Sequence, residues 1–100
     1  MSPHKAGKGS YCPVCGFALA IPAWNDGLAS FAICSCCGTQ FGYDDCCGGD
    51  EIARVAWSVR ARDRWIAGGL TWWSPNPPPP GWDARAQLRQ AGHEIGRAHV

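Results

Sequence analysis

Two short stretches decide how this chain folds: YCPVCG, residues 11–16, and ICSCCG, residues 33–38. Each carries two cysteines with two residues between them, and a glycine directly after the second. Cys12 and Cys15 form one pair, Cys34 and Cys37 the other, and eighteen residues separate the pairs. A tight turn at C-x-x-C aims both sulfurs at one point, and the glycine after it permits a left-handed backbone. Turn amides can then face the sulfurs and spread their charge. A tetrahedral ion needs two such turns facing one another, and a hairpin between them brings them together. The spacing therefore predicts one structural Zn2+ on Cys12, Cys15, Cys34 and Cys37. Iron on the same sulfurs, and disulfide or redox use, are the alternatives.

Four thiolates close a zinc shell, whereas catalytic zinc keeps an open position. The pattern thus predicts a noncatalytic site. A thioredoxin-like C-x-x-C would sit where a strand meets a long helix, and nothing around Cys12 or Cys34 reads that way. Cys36 lies inside the second turn, but only Cys37 has the matching spacing and the following glycine. Cys46 and Cys47 are adjacent, which makes a mutual disulfide strained. These three are expected to be free thiols, with a second metal as the alternative.

Working outward, the hundred residues fit one small domain whose core cannot be large. Thirteen glycines and eight prolines further limit regular structure, so a staple is expected. Residues 1–10 read as a disordered lead-in without the apolar stretch of a secretory signal, and no run reaches the roughly 18 apolar residues of a membrane span. These features point to a cytoplasmic protein without membrane contact, where thiols stay reduced. A net charge of +1 argues against strong nonspecific binding to nucleic acid. Charge is uneven: residues 1–51 carry −3 and residues 52–100 carry +4. A four-thiolate zinc site adds to the negative half, so the two halves are expected to attract.

Residues 11–47 read as the metal module. Asn25-Asp26-Gly27 marks a turn, with Phe17, Leu19 and Ile21 alternating before it and Phe31 and Ile33 after it, which suggests two antiparallel strands. Residues 50–68 read as a helix capped by Asp50 and stopped by Gly68-Gly69. Ile52, Val55, Val59 and Ile66 share one of its faces, with Trp65 at the margin. Arg62 intrudes on that face, and a buried arginine calls for a carboxylate, so a pair with Asp44 or Asp45 is expected. Residues 70–91 form a Trp- and Pro-rich extension ending in a short helix capped by Asp83. Residues 92–100 read as a frayed tail, which with residues 1–10 takes in all three histidines. The fold class is a small α+β protein: a zinc-ribbon or rubredoxin-like hairpin module, an appended helix and a short C-terminal helix, as one domain over 11–91.

CPVCG, ICSCCGTQFGYDD, RDRWIAGGLTWWSP and GWDARAQL together resemble a family of small bacterial cysteine-rich proteins with CPxCG, CPCCG-like, FGYxD and W-I-x-x-G…W-x-S-P motifs. The likeness spans residues 11–90 and extends to the wider CPCC proteins. It implies a zinc-ribbon or rubredoxin-like module, the same four ligands and no enzymatic reaction. Ser35 departs from the pattern where proline is usual, and Cys46-Cys47 are extra.

Six tryptophans supply the area that so few leucines cannot, so most are expected in the core. Trp65, Trp72 and Trp73 are expected to cover the metal module, and Trp82 to pin the last helix. Exposed together, Trp72, Trp73 and Trp82 would instead form a partner surface. Three roles follow: a noncatalytic ribbon acting through contacts with another protein; a nucleic-acid-binding ribbon using Arg54, Arg60, Arg62 and Arg64; or a thiol redox or metal-handling protein using Cys36, Cys46 and Cys47. The first is favoured because the ligand set is closed and the sequence shows no convincing Ser/His/Asp or Cys/His arrangement, and the second is weakened because these arginines form no continuous stripe on the helix.

Overall fold

Each cysteine pair sits inside its own small β unit. In the computed structural model, which describes residues 10–93, β1 (Ser10–Tyr11) pairs antiparallel with β2 (Ala18–Leu19) and encloses Cys12 and Cys15. An antiparallel bridge between Ile33 and Gln40 encloses Cys34 and Cys37 in the same way. Between these units, β3 (Trp24–Asn25) and β4 (Leu28–Ala29) form a second two-stranded hairpin. Its turn residues, Asp26 and Gly27, have φ of 53° and 77°, the left-handed pair that a tight hairpin requires. The lead-in to residue 9 and the tail from residue 94, with His4 and His99, lie outside the described residues. Ser10, read as lead-in, is the first residue of β1.

The expected turn at residues 25–27 is present and joins two short antiparallel strands, but at residues 24–25 and 28–29 rather than in the alternating stretches 17–21 and 31–33. Ala18 and Leu19 pair with residues 10 and 11 rather than with 31–33. Each C-x-x-C-G turn closes locally and takes its own flanks as strands. Phe31 adopts a φ of 63°, and Ile21, Phe31 and Ile33 are all exposed.

Beyond a 3-10 turn at Cys47–Gly49, α1 runs from Glu51 to Ala67. Asp50 Oδ1 accepts from the Ile52 and Ala53 amides at 2.9 and 3.1 Å, satisfying two of the donors a helix start leaves open. α2 runs from Ala84 to Gln90 and is capped likewise by Asp83, from the Arg85 and Ala86 amides.

The apolar stripe of α1 faces outward, contrary to the expectation from its periodicity. Ile52 is 84 % exposed and Val55 61 %, while the buried residues are Ser58 and Ala61 on the opposite side. Trp57 and Trp65, half-buried, flank that side and pack against the core. Each indole carries a large apolar area, and the small Ser58 and Ala61 beside them let the helix approach the cysteine module. Arg62 lies on this buried side, so its position is explained by what it reaches rather than by an intrusion into an apolar face.

Phe41 and Asp45 of FGYDD are fully buried. Asp45 accepts from Trp24 Nε1 at 2.9 Å and from the Gly42 amide at 2.7 Å. Asp44 accepts from the Gln40 amide at 2.8 Å. Trp24 also carries the Arg54 guanidinium over its ring at 3.8 Å, which joins the β3–β4 hairpin to α1.

Among the described residues, Ser58 Oγ is the buried side-chain polar atom without a hydrogen-bond partner. Burying an unpaired hydroxyl costs about 1–3 kcal/mol, and alanine is the better helix former. Ser58→Ala is therefore expected to raise the thermal midpoint, by roughly 0.5–1 kcal/mol of stability, as read by calorimetry. A drop of similar size would mean that the hydroxyl is paired.

Candidate metal centre

The two cysteine turns share one backbone pattern. Gly16 N donates to Cys12 O at 2.9 Å and Gly38 N to Cys34 O at 2.8 Å. Cys12 N donates to Phe17 O, and Cys34 N to Thr39 O, each at 2.8 Å. Gly16 and Gly38 have φ of 86° and 81°, a region where a side chain is strained. Both glycines also make room for a neighbour. A Cβ on Gly16 would lie 2.8 Å from the Ala91 methyl, and one on Gly38 would lie 2.6 Å from the Trp73 ring. The glycine after each pair thus shapes the turn and seats the element that covers it.

These turns face each other and bring four sulfurs together. Cys12, Cys15, Cys34 and Cys37 have all their Sγ atoms within 4.8 Å of one another. Cys12 Sγ is 3.8 Å from Cys37 Sγ, and Cys15 Sγ is 3.7 Å from Cys34 Sγ. A tetrahedron with Zn–S bonds of about 2.3 Å has edges of about 3.8 Å. No disulfide joins any of the described cysteines. The donor set therefore fits one metal ion. Bound there, the ion supplies charge neutralisation and a four-way cross-link.

Three of the four cysteines are fully buried, and Cys37 is half-buried. So many sulfurs at this separation cannot all ionise without a cation. The thiols of Cys12, Cys34, Cys36 and Cys37, together with burial, push Cys15 far up. Contact with Cys15 pulls Cys12 down, but Cys34, Cys37 and burial outweigh it and the net shift is upward. Contacts with Cys12, Cys15 and Cys34, and with Thr39 Oγ1 at 3.3 Å from its sulfur, hold the Cys37 thiol well below its usual range. The Val14 amide donates to Cys12 Sγ at 3.4 Å, the expected amide-to-sulfur contact.

Arg62 holds the first turn from outside. Its Nε donates to Val14 O and its terminal Nη2 to Pro13 O, both at 2.9 Å. This corrects the expected pair with Asp44 or Asp45. Both carboxylates are committed within the cysteine module and to Trp24, while the carbonyls of Pro13 and Val14 offer the planar guanidinium two acceptors at once. The halves of the chain are joined here by donors on carbonyls rather than by paired charges.

Gln87 is a structural residue the sequence reading missed. Its Nε2 donates to Cys15 O at 3.0 Å and to Cys36 Sγ at 3.4 Å, while its Oε1 accepts from Trp82 Nε1 at 2.7 Å. One buried amide thus ties α2 to both turns and accounts for the buried Cys36. Its only sequence signal was its place beside Leu88, which is fully buried. His93, read as tail, is half-buried beside the first turn, where burial and then the Arg62 charge push its imidazole down.

Residues 72–74 cover the second turn: Trp73 N donates to Cys36 O and Ser74 N to Ser35 O, each at 2.9 Å. Trp72 stacks edge-on between Phe17 and Trp82, with centroids 5.3 Å apart on both sides. Trp72 and Trp82 are half-buried against the core, and Trp73 is exposed, at 55 %. Cys46 is exposed and Cys47 half-buried, both free and away from the tetrad. No helix among the described residues is long and apolar enough to cross a membrane. Comparisons with protein-family models, curated proteins and solved structures give no match.

Two outcomes follow for the centre. Because Cys12 and Cys15 keep their protons in the metal-free state, binding must displace them, and affinity is expected to rise with pH. Competition titrations at pH 6 and pH 8 should give the tighter site at pH 8; a pH-independent affinity would contradict the sulfur assignment. Arg62→Met removes two charge-assisted bonds and strands two carbonyls, costing about 2–3 kcal/mol in denaturant unfolding of the metal-loaded protein. A loss under half a kcal/mol would show that the first turn holds itself.

Proposed function

We propose that this chain is a noncatalytic zinc-binding module whose ion organises the fold and whose outer surface contacts another protein. The observation carrying this reading is the sulfur tetrad: four cysteines close enough to hold one ion, with three of them fully buried. A closed four-sulfur shell leaves no position for substrate or water, which supports a structural rather than a catalytic ion. Zinc is favoured over iron by the doubled C-x-x-C-G spacing, which is that of a structural four-cysteine zinc site. The kinship with CPCC-type proteins rests on the motifs alone and is part of the proposal.

The protein-contact role is supported by apolar side chains left outside the core. Ile52, Val55, Leu28, Phe31 and Tyr43 are each more than 60 % exposed. Aliphatic and aromatic side chains in these numbers on a small domain favour association. The arginines favour nucleic acid less, since Arg54 lies on Trp24 and Arg62 on the first turn. A cytoplasmic setting suits the free Cys46 and Cys47.

Elemental analysis and thiol titration of freshly purified protein test the metal reading. One zinc per chain is expected, with Cys46 and Cys47 reacting readily and Cys36 sheltered. Iron in stoichiometric amount, or seven reactive thiols, would contradict it. Affinity capture with wild type and with an Ile52→Glu/Val55→Glu variant tests the surface. Proteins retained by the first and lost by the second support it; salt-resistant retention of nucleic acid by both would favour the other role.

A further inference from the structure

A groove of about 340 Å³ opens between the second cysteine turn and α1. Trp57 and Trp65 line it together with Ala61, and Gly38 and Thr39 line the side of the turn. Cys37 lines it too, and Cys37 is the half-buried member of a tetrad whose other sulfurs belong to fully buried residues. Arg64 and Asp44 complete the lining. Asp44 is committed to the Gln40 amide, whereas Arg64 is exposed and its guanidinium enters no hydrogen bond among the described residues. Cys37 is therefore reached by a groove walled by two indoles and carrying Arg64, uncommitted among the described residues.

We propose that this groove is the metal-exchange port of the protein, taking small anionic thiols, with Cys37 as the first sulfur to be replaced. The inference rests on the metal reading above. Charge gives the port its selectivity. Four thiolates around a divalent ion leave a net −2, which repels an incoming anion, and Arg64 beside Cys37 offsets that repulsion where the thiol must enter. Trp57 and Trp65 wall it with ring surface, and the Trp65 Nε1–H is already donated to Thr71 O at 2.9 Å. In the exchange, the incoming thiol gives up its proton and the departing Cys37 sulfur takes one, while Thr39 Oγ1 stays within reach of that sulfur at 3.3 Å. Protons and electrons balance, and no oxidant is needed. The three buried sulfurs keep their turns in place while the port is occupied.

A matched pair of probes tests this on the metal-loaded protein: anionic 2-mercaptoethanesulfonate and neutral 2-mercaptoethanol, with the rate of metal transfer to a coloured acceptor as readout. Arg64→Gln is expected to slow transfer by the anionic thiol about threefold, the effect of one unit charge roughly 6 Å away in water. It should slow the neutral thiol less, since that probe is charged only at its reacting sulfur, and its effect should shrink in 1 M salt. Arg60→Gln removes the same charge outside the groove and should change neither rate. Peptide mapping after brief iodoacetamide treatment should find Cys37 alkylated before Cys12, Cys15 and Cys34. Equal effects of Arg64→Gln and Arg60→Gln, or labelling that reaches one of the buried three first, would overturn the port while leaving the metal site standing. Protein that binds no metal at all would remove both.

Discussion

Four sulfurs within 4.8 Å of one another are the constraint on which the rest of this structure depends. As thiolates they repel one another, and a cation at their centre would make their convergence favourable. The β structure around them could not hold them by itself. The named strands are two residues long, and hairpins of that size have no independent stability in water. An ion bound at the cysteines would therefore stabilise the strands, rather than the reverse.

The second half of the chain is organised as a cover for the two turns. α1 reaches the first through Arg62, and α2 reaches it through Gln87 and the Ala91 methyl over Gly16. Residues 72–74 lie along the second, with Trp73 over Gly38. Gln87 touches both, since its amide donates to Cys15 O and to the Cys36 sulfur. These contacts satisfy carbonyls that a tight turn leaves exposed, which is why their donors are an arginine, an amide and extended backbone rather than apolar groups. Burial by indoles fills the space between: Trp24, Trp57, Trp65, Trp72 and Trp82 all pack on the cysteine core.

How much of this could be read from the sequence depends on whether the governing interaction is local. The cysteine spacing and its glycines specify the turns almost by themselves, and Asp50 and Asp83 announce their helices because a cap bonds to amides two and three residues away. Asp26-Gly27 likewise fixes its turn through its own backbone angles. Interactions across the chain were not legible. Periodicity placed Ile52, Val55 and Val59 on one face correctly but could not say that the core would take the opposite face with Trp57, Ala61 and Trp65. Arg62 was recognised as needing a partner, yet the acceptors are backbone carbonyls 48 and 49 positions earlier, which carry no residue-type signal. Gln87 was missed for the same reason. The two short strands at the turn lie nearer to it than the hydrophobic alternation indicates, because each cysteine turn takes its own flanks into a local pair.

The dependence of the fold on its ion is tested most directly by withdrawing the metal under reducing conditions and following far-ultraviolet circular dichroism together with tryptophan fluorescence. If the sulfurs need a cation to converge, both signals collapse together as the chelator takes one equivalent of metal, and both return when zinc is restored. Helices and indole environments that persist unchanged in fully demetallated, reduced protein would show that packing alone holds the cysteines in place.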